Sequence, residues 1–108
     1  MIKSDRASDQ LTVYLSGEID DHAASTIRDD IEKLLRDPSI KRLLFDFSKV
    51  SFMDSSGIGM IIGRYKTMKA RNGRAEATGL SDAVMRIYRL GGLHRIIPVK
   101  EDGGKDER

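Results

Sequence analysis

The stretch FDFSKVSFMDSSGIGMIIGRYK, residues 45–66, decides the fold, because a buried strand runs directly into a helix there. The run LLFDF at 43–47 is nearly all apolar, which is typical of a central strand covered by helices on at least one face. After Ser55 the apolar residues recur at helical spacing and predict a core-facing stripe of Ile58, Ile61, Ile62, Tyr65 and Met68. A strand followed by an amphipathic helix is the building unit of an α/β domain.

The ends of this central helix are marked by capping residues and by charge. Asp54 or Ser55 is suited to accept hydrogen bonds from the first free amides. Arg64 and the basic residues after it lie toward the carboxyl end, where the helix dipole favours cations. Asn72-Gly73 tolerates left-handed backbone angles and closes the helix.

Further strands and helices alternate on both sides of this unit. Leu11, Val13 and Leu15 alternate with polar residues, as in a half-buried strand. The full set of predicted elements is strands at 1–6, 11–16, 43–47, 74–78 and 95–99, with helices from Asp20 or Asp21 to Pro38, from Ser55 to Asn72 and from Ser81 to Gly91. The order ββαβαβαβ predicts one α/β domain, with a mixed, mostly parallel sheet of four to five strands and three to four helices.

Composition narrows the classes of function. The chain has 108 residues, no cysteine and a net charge of +2 from 19 basic and 17 acidic residues. Thiol chemistry and disulfides are excluded, and interspersed charge argues against direct nucleic-acid binding. The sequence shows neither a signal peptide nor a membrane-spanning run, so we expect a cytoplasmic protein with no membrane contact. The predicted domain covers 1–100, and EDGGKDER at 101–108 is predicted to be a mobile charged tail.

Three chemistries compete for the Asp-Ser-Ser-Gly segment. A nucleophile elbow requires glycine two residues before and after the serine, and neither Ser55 nor Ser56 has both. The glycines Gly57, Gly59 and Gly63 are spaced one residue too far for the dinucleotide fingerprint. We therefore expect no catalytic residue, no metal and no cofactor, and interpret Gly59 and Gly63 as a flat ridge on one helix face.

Phosphorylation is the third chemistry. With Asp54 or Ser55 capping the helix, Ser56 is predicted to lie in the first turn, exposed, with its hydroxyl free. A phosphoryl group there adds about −1.5 to −2 charge, which the positive end of the helix tolerates. The residues alone leave two interpretations open: a phosphorylation switch, or serines that only support the helix start.

The same residues carry a family resemblance. FDFSKVSFMDSSGIGMIIGRYK resembles the signature of anti-sigma factor antagonists, the small proteins that define the STAS domain, and most closely those of sporulation. LSGEID at 15–20 and LSDAVMRIYRLGGLHRII at 80–97 add to the resemblance, which runs from about Leu11 to Val99. The predicted element order agrees with the fold of that family.

The resemblance implies a mechanism without catalysis by the chain itself. In that family the second serine of Asp-Ser-Ser-Gly accepts the phosphoryl group, which here is Ser56. The unmodified antagonist is expected to act as a monomer and to bind an anti-sigma factor that is also a serine kinase, carrying ADP or ATP, which releases the sigma factor. Phosphorylation blocks this binding, and a PP2C-type phosphatase restores it. The implied docking residues are Asp20, Asp54, Ser55, Ser56, Gly57, Ile58 and Gly59.

Two alternatives and two departures accompany the resemblance. The alternatives are an antagonist in a general stress-response pathway with the same mechanism, and a nucleotide-binding STAS module. The family pattern Asp-His-His-Thr-Ala is replaced by Asp20-Asp21-His22-Ala23-Ala24, so Asp21 makes the docking rim more acidic. The family's closing helix is not predicted within 101–108.

Overall fold

Five strands form one mixed sheet whose spatial order follows the chain order. The computed structural model describes residues 2–100, so the predicted tail lies outside the described residues. The elements are β1 (Lys3–Ala7), β2 (Gln10–Ile19), α1 (Asp21–Leu34), β3 (Arg42–Met53), α2 (Ser55–Ala70), β4 (Arg74–Thr78), α3 (Asp82–Leu90), a short 3-10 helix (Leu93–Arg95) and β5 (Val99–Lys100). This arrangement confirms the predicted α/β class and element order.

The sheet begins with a hairpin and continues with parallel strands. β1 and β2 pair antiparallel, whereas β2, β3, β4 and β5 are all parallel. The hairpin turn contains Ser8 in a left-handed conformation with φ 57°. β3 lies third of the five strands, as its apolar sequence predicted.

One face of the sheet carries the core and the other is partly open. Leu11, Leu43 and Ala75 are register partners on adjacent strands and are all buried. The next residue of each strand points to the opposite face, where Thr12 and Leu44 are only half-buried. All three helices therefore pack on the same face, as expected when consecutive parallel strands are joined by right-handed crossovers. Among residues 2–100, no helix combines the length and hydropathy needed to cross a bilayer.

The predicted last strand exists, but its predicted range of 95–99 is wrong except at Val99. That segment begins in the 3-10 helix, and only Val99–Lys100 pairs with β4. Gly92 has a left-handed φ of 80°, which starts a turn and sends Leu93 into the core. The Tyr88 hydroxyl then donates to the Ile97 carbonyl at 2.8 Å, so this backbone group bonds to a side chain instead of to a strand.

Three other elements differ in their limits or faces. β3 extends beyond 43–47 to Met53, because parallel pairing with β2 continues through two register shifts. α1 ends at Leu34, before the proline that was expected to end it. The buried residues of α2 are Gly57, Met60, Ile61, Arg64 and Met68, so the predicted stripe is only partly correct.

Candidate phosphoacceptor and docking site

The carboxyl ends of β2 and β3 bring two helix starts together. Ile19 and Met53 are register partners at the last paired position of these parallel strands. The Asp54 amide donates to the Ile19 carbonyl at 3.2 Å, which links the two strand ends. Asp20 follows β2 and Asp54 follows β3, and each residue caps the next helix. The amino ends of α1 and α2 therefore lie side by side, at the edge of the sheet where sites of α/β proteins occur.

The sequence allowed either Asp54 or Ser55 as the amino-terminal cap of α2, and in the structure the cap is Asp54. Its Oδ1 atom accepts from the Ser56 amide at 2.9 Å and from the Gly57 amide at 3.3 Å. Ser55 is the first helical residue and is exposed. Because the cap uses a carboxylate, neither serine hydroxyl is needed to start the helix.

Ser56 lies in the first turn of α2, but its surroundings differ from the prediction. The residue is half-buried, and its hydroxyl donates to Asp21 Oδ1 at 3.2 Å. The expectation of an exposed serine with a free hydroxyl is therefore wrong, because the first turn of α1 packs beside it. The hydroxyl still borders an open groove of about 270 Å³ between α1 and α2. Solvent and a partner can reach it from there.

The other predicted docking residues divide into surface and packing positions. Asp20, Ser55 and Gly59 are exposed. Gly57 is buried, and a Cβ there would meet Met53 Cγ and lie 3.0 Å from Ile19 Cγ2. Because glycine has only a hydrogen in place of Cβ, the first turn of α2 can approach the ends of β2 and β3. Gly57 therefore has a packing role.

Ile58 and Gly59 point in different directions. Ile58 is half-buried and packs toward α3, since a Cβ on Gly91 would lie 2.6 Å from Ile58 Cδ1. A Cβ on Gly59 or Gly63 would meet nothing within 4 Å. The interpretation of these two glycines as a flat ridge is consistent with this geometry, and Gly59 also lines the groove between α1 and α2.

Arg64 is a feature of the site that the sequence interpretation missed. The residue is only 9% exposed, and its Nη2 lies 3.0 Å from Glu32 Oε2 in an ion pair, so it connects α2 with α1. Within the described residues, its Nε and Nη1 atoms are buried without a hydrogen-bond partner. Burial lowers the pKa of Arg64, and the charge of Glu32 opposes that effect. The sequence did contain a signal that Arg64 lies on the buried face of α2, because Arg64 follows Met60 and precedes Met68 at spacings of four residues.

Phe52 is a second missed feature. It lies near the carboxyl end of β3, two residues before Asp54, and 46% of it is exposed. Exposed aromatic side chains next to a polar rim are frequent anchors in protein interfaces. The register partner of Phe52 on β2 is Glu18, and Asp54 follows two residues later, so the residues beside Phe52 are acidic.

Comparison with known proteins places this geometry in one family. The STAS domain model matches residues 1–104. An anti-sigma-B factor antagonist of Listeria monocytogenes is 32% identical over 101 residues, covering 94% of this chain and 88% of the relative. An anti-sigma F factor antagonist of Paenibacillus polymyxa is 30% identical over 92 residues, covering 85% and 79%.

Solved structures give the same assignment. The unphosphorylated form of the anti-sigma factor antagonist SpoIIAA is 26% identical and superposes with a TM-score of 0.82, covering 99% of this chain and 90% of that one. The phosphorylated form of the Bacillus cell fate determinant SpoIIAA is 25% identical with a TM-score of 0.73, covering 100% and 98%. The chain therefore belongs to the STAS-domain family of anti-sigma factor antagonists.

Proposed function

We propose that the unmodified protein binds an anti-sigma factor that is also a serine kinase, and that this binding releases a sigma factor. The kinase, with ATP, transfers a phosphoryl group to Ser56, and the modified protein no longer binds. A PP2C-type phosphatase removes the group, and the protein acts as a monomer. The observation that carries this proposal is the Ser56 hydroxyl, which lies at the amino end of α2 and borders an open groove.

The docking surface that we propose consists of Asp20, Phe52, Asp54, Ser55, Ser56 and Gly59, with Gly57 and Ile58 supporting it from beneath. The exposed aromatic ring of Phe52 supplies apolar area. The exposed carboxylate of Asp20 is suited to pair with a basic residue of the partner. The bare ridge at Gly59 allows the partner's backbone to approach the helix.

Phosphorylation acts on this surface mainly through charge. At a separation of about 5 Å and an effective dielectric constant of about 20, each unit of repulsion against a partner carboxylate costs roughly 3 kcal/mol. A micromolar complex has a binding free energy of about −8 kcal/mol. The roughly two charges of a phosphoryl group are therefore enough to remove most of the affinity.

Two sigma pathways share this mechanism. The relatives include antagonists named for sigma-B and for sigma-F, at 32% and 30% identity. The solved relative SpoIIAA, described as a cell fate determinant, supports the sporulation assignment, and the Listeria relative supports the stress-response assignment. The two assignments predict different kinases, so a panel of both kinase types separates them.

The first prediction concerns the modified residue. Incubation with a cognate anti-sigma kinase and ATP should add one phosphoryl group to the wild-type protein and none to Ser56→Ala. Intact-protein mass spectrometry gives the count, and peptide fragmentation gives the position. The matched control is Ser55→Ala, which changes the neighbouring exposed hydroxyl and should still be modified.

Binding completes the test of this proposal. With ADP present, the unmodified protein should form a complex with the kinase on a native gel, and the phosphorylated protein should not. A phosphoryl group on Ser55, or equal binding by both forms, would contradict the assignment.

A further inference from the structure

The turn after α2 has a backbone shape that few residues adopt. Asn72 follows the carboxyl-terminal cap Arg71 and lies in the left-handed region, with φ 61°. The Asn72 amide donates to the Lys69 carbonyl at 3.0 Å. The Gly73 amide donates to the Met68 carbonyl at 2.7 Å. This pattern is a Schellman motif, in which the left-handed position favours glycine or asparagine.

Position 73 requires glycine for a different reason. A Cβ there would lie 2.5 Å from the Lys41 carbonyl oxygen and 2.9 Å from Met68 Cε. The carbonyl oxygen belongs to the backbone and is held in place, because it accepts from the Arg74 amide at 2.9 Å where β4 begins. The fold therefore favours an asparagine-glycine pair between α2 and β4.

This pair of residues is chemically labile. Asparagine is thermolabile, and a following glycine has no side chain to shield its amide nitrogen. In spontaneous deamidation the Gly73 nitrogen gives up its proton, forms a bond to Asn72 Cγ and displaces the side-chain amide as ammonia. Water then opens the cyclic imide at either carbonyl, which leaves aspartate or isoaspartate. The Asn72 side chain is exposed, so water reaches the site of reaction.

We propose that Asn72-Gly73 is a deamidation site that the Schellman motif protects, so that the reaction proceeds only while the carboxyl end of α2 is open. In the folded state the Met68 carbonyl holds the Gly73 proton, and the same motif fixes the left-handed conformation of Asn72. The nitrogen can neither lose its proton nor turn toward Cγ until these bonds break. A local opening is sufficient, because helix ends open at a lower free energy than the core.

Deamidation makes this opening permanent in the purified protein. Isoaspartate places an extra methylene group in the main chain between the amide nitrogens of residues 72 and 73, so the Gly73 amide no longer fits opposite the Met68 carbonyl. Met68 is fully buried and anchors the end of α2 in the core. The isoaspartate form should therefore have a Tm lower by about 4 °C or more, the shift that the loss of one hydrogen bond gives in a domain of this size.

The test compares the protein with a synthetic peptide of residues 69–76, which contains the same asparagine-glycine pair without the fold. Both are incubated at neutral pH and physiological temperature. Enzymatic methyl transfer counts the isoaspartate, and peptide fragmentation gives its position. The folded protein should react about tenfold more slowly or less, which corresponds to an opening free energy of at least about 1.4 kcal/mol. In urea above its unfolding transition, the protein should react at the rate of the peptide.

A variant tests whether the end of α2 controls the rate. The Arg71 guanidinium donates to three carbonyls of the loop between α1 and β3, at 2.7 Å (Leu35), 3.1 Å (Asp37) and 3.2 Å (Ile40). Because these bonds fasten the end of α2, Arg71→Met should raise the deamidation rate several-fold. A peptide with the same substitution corrects for any direct effect on the reaction. Arg89→Met is the matched control, since Arg89 is an exposed arginine in the last turn of α3, and it should leave the rate unchanged.

Two results would overturn the protection of this site. One is a folded protein that deamidates at Asn72 as fast as the peptide does. The other is an Arg71→Met protein that reacts no faster than Arg89→Met after the peptide correction, which would mean that the end of α2 does not control the reaction.

Discussion

Tyr88 shows how a single residue fixes the carboxyl-terminal part of the fold. It is the largest fully buried side chain, and its ring packs edge-on against Phe47 at a centroid distance of 6.0 Å. Its hydroxyl donates to the Ile97 carbonyl at 2.8 Å. Burial raises the pKa of this hydroxyl above its ordinary value, so the folded protein keeps it neutral.

Replacement of Tyr88 by Phe should lower the free energy of unfolding by about 1–2 kcal/mol, because the buried Ile97 carbonyl loses its side-chain donor. The raised pKa adds a pH dependence with a definite sign. The unfolded state releases the proton near pH 10, so the stabilisation holds below about pH 10 and declines above it. Urea titrations near neutrality and above pH 10 should show the gap between the two proteins narrowing as the pH rises. A gap that widens in alkali would contradict this role.

At the same scale, the sequence predicted some side-chain roles and missed others. It offered Asp20 or Asp21 for one cap and Asp54 or Ser55 for the other, because capping depends on neighbours three residues away. The structure selects Asp20 and Asp54. The contact between Ser56 and Asp21 could not be predicted, since it depends on how two helices pack across 35 positions.

At the scale of elements, α2 combines glycines with opposite functions. Gly57 is buried against Met53 and Ile19, whereas Gly59 and Gly63 face open space. Each glycine costs a helix interior about 1 kcal/mol relative to alanine. Tight packing explains that cost at Gly57. At Gly59 the fold does not require glycine, which is consistent with a surface kept bare for a partner.

Alanine at Gly59 should therefore stabilise the protein by up to about 1 kcal/mol and weaken binding to the kinase. Alanine at Gly57 should destabilise it, because the new methyl group meets Met53 and lies 3.0 Å from Ile19 Cγ2. Urea unfolding and isothermal titration calorimetry measure the two quantities separately. A destabilised Gly59→Ala, or one that binds the kinase as tightly as wild type, would remove Gly59 from the docking surface.

Element order was predictable because alternation and helical spacing are local signals. The range of the final strand was not, since RIIPV has the composition of a strand, whereas Arg95 ends the 3-10 helix and the Tyr88 hydroxyl bonds to the Ile97 carbonyl. The buried face of α2 was only partly predictable. A search for apolar residues passes over Arg64, whose long side chain is buried between two helices.

At the scale of the whole molecule, β2, β3, β4 and the three helices share one hydrophobic core, whereas β1 and β5 contribute no buried residue to it. Phe45 and Phe47 of β3 are fully buried, and Val84 and Tyr88 of α3 pack into the same cluster as Ile31 of α1. No second core exists among residues 2–100. The helices cover one face of the sheet, which is consistent with the alternation of apolar and polar residues in β2. The domain boundary at residue 100 stays a prediction.

A shared core predicts one cooperative unfolding transition. Far-ultraviolet circular dichroism follows the loss of helix during unfolding. Tyrosine fluorescence follows the surroundings of the tyrosines, including the buried Tyr88. The two signals should give the same midpoint in urea, as small single domains usually do. Midpoints that differ beyond error would mean that α3 and the 3-10 helix unfold separately from the rest.

The parallel run of β2 has a practical consequence for attaching probes. The hairpin turn at Ser8 precedes the amino end of this strand, and Asp20 follows its carboxyl end. Ten residues at about 3.3 Å each separate the turn from the docking rim by roughly 30 Å. The chain has no cysteine, so Ser8→Cys creates a unique thiol. A fluorophore or surface tether coupled there leaves the opposite end of the molecule free to meet its kinase.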